Sequence, residues 1–136
     1  MISSYNSTTQ TVDSGAAYVF DTNRIVTGCT VGHVAGTSAF TLNKPGYYYV
    51  TFNTTFTTEA AGEATIQLQN GGTPVPGATG TETVTTAGST KSISFATIIK
   101  VLPSCCAVDN TATLAFVATG IALSATVSNV NVTKLC

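Results

Sequence analysis

A chain of 136 residues with 43% apolar side chains, 8% charged ones and a net charge of −1 fits one domain that buries a core without staples. Its basic residues, Arg24, Lys44, Lys91, Lys100 and Lys134, are too dispersed to follow a phosphate backbone, which excludes nucleic-acid binding. High apolar content with few charges also excludes intrinsic disorder.

Residues 1–14 are polar and aperiodic, which predicts an N-terminal arm, with residues 15–136 forming the domain. Ile2, Tyr5 and Val12 are its isolated apolar residues, spaced as anchors that would order on a partner. The start has neither a basic cluster nor an apolar run, so cytosolic synthesis is expected.

Beyond the arm, abundant Thr, Val and Ile favour pleated sheet over helix. Turn signals recur at Asp21-Thr22-Asn23, Lys44-Pro45-Gly46, Asn70-Gly71-Gly72, Ala87-Gly88 and Thr119-Gly120, the spacing of an all-β sandwich or barrel. Tyr18, Phe20, Phe40 and Leu42 begin the inward set. Residues 47–56 form the clearest strand: alternation puts Tyr48, Val50, Phe52 and Phe56 on the core face. Tyr47, Tyr49 and Thr51 then point outward, two aromatics where a monomer wants polar groups. Thr57–Gly62 is expected to be a loop. Ile66 and Leu68 face inward in the next strand, and Gly71–Gly80 has too much Gly and Pro for a central strand, which predicts a second loop.

In 91–101, Ile93, Phe95, Ile99 and Val101 share one face and Ile98 lies opposite. Leu114 and Phe116 mark another strand, and the last runs from about Ala122 to Leu135. Its apolar phase slips near Ser128-Asn129, the signature of a β-bulge. No charge falls between Asp109 and Lys134, yet the many Thr, Ser and Asn there alternate with apolar residues, which rejects a membrane span.

Chemistry-bearing motifs are sparse. Cys29, Cys105, Cys106 and Cys136 include no CxxC pair, and the single His33 completes no zinc pattern. Reduced thiols are expected, with a disulfide involving Cys136 and a metal site as the alternatives. Thr30-Val31-Gly32-His33-Val34-Ala35-Gly36 is not a nucleophile elbow. Glu59 and Glu63 are the one close carboxylate pair in the 57–63 region, and the chain has no Trp to stack a sugar beside them. The expectation is no enzyme, no cofactor and no metal.

The run Phe40-Thr41-Leu42, then Pro45-Gly46-Tyr47-Tyr48-Tyr49-Val50-Thr51-Phe52, resembles the trimeric jelly-roll heads of the complement and tumour necrosis factor superfamily. Ile66-Gln67-Leu68-Gln69-Asn70-Gly71-Gly72, Val75-Pro76-Gly77-Ala78 and the ending Val130-Asn131-Val132-Thr133-Lys134-Leu135 extend the likeness over roughly residues 15–135. Within it, the chain is most similar to the head of the collagen-like glycoprotein of bacterial spore surfaces. The resemblance implies an all-β, ten-stranded, two-sheet antiparallel jelly-roll sandwich that forms a homotrimer. It implies a threefold interface containing Tyr47, Tyr49, Thr51, Ile98, Val130 and Val132.

A stalkless, cytosolically made head also resembles head-fibre or capsid-decoration proteins of tailed bacteriophages. That implies a virion location on the capsid surface, with the major capsid protein as partner and attachment through Ile2, Tyr5 and Val12. The other function expected of the same fold is a receptor-binding or adhesive head.

Overall fold

The computed structural model describes residues 1–102 and 112–135. Eleven strands and no helix occupy these residues, in two antiparallel sheets. Sheet A runs β3 (Thr22–Val26), β1 (Ile2–Tyr5), β11 (Leu123–Lys134), β6 (Gly46–Thr57), β9 (Lys91–Val101), and short β2 (Gln10–Val12) pairs with Leu123–Ala125 of β11. Sheet B runs β4 (Val31–His33), β5 (Phe40–Leu42), β10 (Ala112–Gly120), β7 (Gly62–Asn70), β8 (Thr73–Val84). This is the expected jelly-roll sandwich, with eleven strands where the resemblance implies ten: β1 and β2 lie in the segment predicted as an arm, and β3 starts on the predicted turn Asp21-Thr22-Asn23.

The core lies between the sheets and follows from period-two alternation. On β6, Tyr48, Val50, Phe52 and Phe56 are buried while Tyr47, Tyr49 and Asn53 are exposed. Phe52 of sheet A stacks on Phe116 of sheet B with ring centres 4.7 Å apart, and Tyr18 meets Phe52 edge-on at 5.4 Å. Each fully buried aromatic or aliphatic side chain contributes about 1.5–3 kcal/mol by leaving water. Ile66, Leu68, Leu114, Ile93, Ile99 and Val101 complete the layer as the alternation predicts.

Three expectations are corrected. The segment 1–14 is not a free arm: β1 is an interior strand, with Ile2 paired to Val132 on one side and Val26 on the other. Ile2 and Val12 are each 1% exposed and fill the core. They are therefore unavailable to a partner, and Tyr5 is half-buried. Several of the polar residues that suggest an arm find partners inside the fold, although the buried Ser3 hydroxyl has none among the described residues. Ser4 Oγ donates to Asn23 Oδ1 at 2.6 Å, and the Ser128 hydroxyl donates to Asn6 Oδ1.

The second correction concerns Gly71–Gly80. Gly71 and Gly72 make the hairpin turn, and β8 begins at Thr73 as an edge strand paired along one side with β7. Gln69 pairs with Pro74 and Gln67 with Thr79, so Val75–Ala78 bulges out of the ladder. Proline lacks the N–H that a central strand must give, and an edge with a bulge is where it is tolerated.

Third, Val130 and Val132 face inward and are fully buried. They pair with Phe52 and Val50 of β6 and with Ser4 and Ile2 of β1, all core-facing, so they are removed from the interface set. The predicted bulge in this strand exists, but between Ala125 and Val127, slightly earlier than Ser128-Asn129. It turns Val127 outward, at 58% exposure, and returns Ser128 to the interior.

Candidate functional site

The outer face of sheet A is the surface that the fold leaves unexplained. Its rungs can be followed across the strands. Thr133 of β11 lies beside Tyr49 of β6, which lies beside Ile98 of β9. The next outward rung is Ser3, Asn131, Thr51 and Ala96, and after it come Tyr5, Asn129, Asn53 and Ser94. None of these rungs carries a charged side chain. Lys100 stands one rung beyond Tyr49, opposite Tyr47, with its ammonium 5.5 Å from the ring centre.

Alternation creates this face directly. Burying Tyr48, Val50 and Phe52 forces Tyr47, Tyr49 and Thr51 to the other side. Burying Ile99 does the same to Ile98. Tyr47 and Tyr49 are each 42% exposed and Ile98 is 56% exposed, so an aromatic and aliphatic patch stands in solvent on one protomer. The polar rungs beside it are knitted within the sheet. Asn131 Nδ2 donates to Thr51 Oγ1 at 3.1 Å and to Asn129 Oδ1 at 2.9 Å, so these amides hold fixed orientations.

The remaining candidates fall apart as sites. Glu59 and Asp13 line an open cleft of about 310 Å³ with Ile121 and Leu123, but Glu63 lies outside it on β7. Among the described residues no three His, Cys, Asp or Glu side chains converge as metal ligands. Cys29 is exposed on the β3–β4 loop, while Cys105, Cys106 and Cys136 lie outside the described residues. His33 ends β4 stacked on Phe40, with ring centres 4.2 Å apart and planes at 13°. Among the described residues no hydroxyl nucleophile bonds to its ring.

Sequence reasoning on Tyr47, Tyr49, Thr51 and Ile98 thus converges with the structure on one face. It missed Asn129, Asn131 and Ser3, whose places on that face depend on pairing between the two ends of the chain. No local pattern signals such a pairing.

No protein-family model matches the chain, and no curated protein matches it in sequence. Solved structures do match. The Eiger tumour necrosis factor of S. frugiperda superposes with a TM-score of 0.73 at 11% identity, over 99% of this chain and 92% of that one. Murine APRIL at pH 8.0 gives 0.54 at 11% identity, covering 98% and 97%. Murine APRIL at pH 8.5 gives 0.56 at 10%, covering 96% and 98%. The fold is a tumour necrosis factor-like jelly roll.

Proposed function

We propose that the protein is a non-enzymatic, self-associating head that closes as a homotrimer through the outer face of sheet A, and that it serves as a structural head on a virion surface. The observation that supports assembly is the rung of Tyr49 against Ile98. Both side chains are exposed, mutually in register and set in rungs free of charge. Aromatics with depleted charge are the composition of a buried interface centre, and rotational closure covers the same patch on every copy. The jelly-roll likeness supports three copies as the number.

The virion role rests on the sequence resemblance to capsid-decoration heads. Because β1 and β2 are built into the sandwich, attachment to a shell uses the surface of the folded head. The test is co-sedimentation of the purified protein with empty capsids. Saturable binding at fixed stoichiometry is the expected result. Absence of capsid binding together with saturable binding to host-cell surfaces would replace the reading with a receptor-binding head.

A further inference from the structure

His33 belongs to sheet B, but its ring is held by residues of sheet A and of the turn that follows β4. Nδ1 lies 2.6 Å from Asn23 Oδ1 on β3, and Nε2 lies 2.8 Å from the backbone carbonyl of Thr37. Two further bonds set the orientation of the Asn23 amide in this arrangement. Its Nδ2 donates to the His33 carbonyl at 2.8 Å, and its Oδ1 accepts the Ser4 hydroxyl at 2.6 Å. Carbonyl oxygens only accept. Both ring nitrogens must therefore carry hydrogen for both bonds to exist, which makes the ring an imidazolium in this arrangement.

The surroundings suit that charge in part. The flat stack on Phe40 and the edge contact with Phe20 at 6.3 Å place an aromatic face under the ring. Among the described residues no salt bridge reaches it. The ionisable groups on neighbouring elements are Asp21 and Arg24 around β3, Tyr5 on β1, Lys134 at the end of β11, and Tyr18 beside Phe20. Asp21 is engaged by the Ser7 N–H and hydroxyl and the Thr22 hydroxyl, and Arg24 is exposed. β5 and the turn Val34–Thr37 carry no ionisable side chain.

We infer that His33 is a proton-operated link between the two sheets: the charged ring holds Thr37 and Asn23 Oδ1 together, and the neutral ring keeps Thr37 and breaks the bond to Asn23 Oδ1. Thr37 is the partner kept because its carbonyl is backbone, fixed by Thr37 N–H to Val34 O at 3.1 Å and Phe20 N–H to Thr37 O at 3.2 Å. The Asn23 bond is the one that changes because its carboxamide is a side chain: turning over exchanges the Oδ1 bond for one donated by Nδ2 to the bare Nδ1 and gives up the Nδ2 bond to the His33 carbonyl. The same turn puts Nδ2 opposite Ser4 Oγ, which then accepts where it had donated, so the change passes from β4 through β3 to β1. Burial pushes the imidazole below its ordinary value and the Thr37 carbonyl works against that push. The link therefore closes on the acidic side of neutrality. It does not depend on the assembly proposed above.

The test is nuclear magnetic resonance of the uniformly ¹⁵N-labelled full chain, titrated from about pH 8 down to about pH 4. Below the His33 midpoint both ring nitrogens should show protonated shifts. The Asn23 side-chain amide should move with the same midpoint, and stop moving in folded His33→Gln. Asn23→Asp places a carboxylate against Nδ1 and should raise proton affinity roughly tenfold or more. If Asn23→Asp fails to fold, the wild-type amide titration stands as the deciding measurement. A ring that stays neutral throughout the folded range, or an Asn23 amide indifferent to its titration, overturns the inference.

Discussion

The phenolic oxygen of Tyr18 lies 3.2 Å from Thr54 Oγ1 inside the sandwich. Thr54 in turn donates to the Val127 carbonyl at 3.1 Å, beside the bulge of β11. Burial pushes the Tyr18 phenol up to about 12, with the Thr54 hydroxyl opposing. A phenol harder to ionise when folded stabilises the protein below its unfolded value near 10, and that contribution fades as pH rises from about 10 towards 12. Absorbance titration should show one tyrosine ionising only with alkaline unfolding, and Tyr18→Phe should shift that unfolding to higher pH. Full ionisation of every tyrosine in a still-folded protein would contradict this assignment.

Gly120 joins β10 to β11 at φ +87°, and a Cβ there would lie 2.1 Å from the Glu63 carbonyl. Backbone, not a flexible side chain, occupies the space. Gly120→Ala combines left-handed strain of about 1–3 kcal/mol with this clash. Chemical denaturation should show a loss at least that large, whereas Gly88→Ala, at φ +84° with open space around it, should lose less.

Removal of the N-terminal strands should be severe. Ile2→Ala empties a fully buried position between β3 and β11 and should cost about 2–5 kcal/mol. Deleting residues 1–12 removes β1 and β2 together, exposing the β11 ladder, and should lower the melting temperature sharply. A truncation with unchanged melting temperature would restore the free-arm view.

Charge on the outer face of sheet A should prevent association. Tyr49→Asp buries an unpaired carboxylate against Ile98 of the same rung if copies close on that face. Light scattering should give trimer mass for the wild type and for Tyr49→Phe, and monomer mass for Tyr49→Asp with an unchanged circular dichroism spectrum. A fully trimeric Tyr49→Asp would place the interface elsewhere.

The strands whose one face is buried were readable because burial imposes a phase. Tyr48, Val50, Phe52 and Phe56 show it on β6, and Ile93, Ile99 and Val101 on β9. β1 was unreadable because its phase is polar: Ser3, Ser4 and Asn6 are buried, and Asn6 meets Ser128 at a separation of 122 residues. β8 was obscured by the Pro and Gly that suit it to an edge. The outward tyrosines were legible as leftovers of alternation, whereas Asn23 and His33 come together across the strand order, which alternation does not encode.

The bulged, proline-bearing margin of β8 bears on how copies of this protein can multiply. A long straight margin with free N–H groups is a template on which strands of another chain add without limit. Along Val75–Ala78 that template is broken, and Pro74 and Pro76 have no hydrogen to offer. If copies close on the outer face of sheet A as proposed, the broken margin of β8 offers that rotational contact no competing strand-to-strand contact along its own length. The same segment that interrupts the ladder thus disfavours open-ended strand addition along β8.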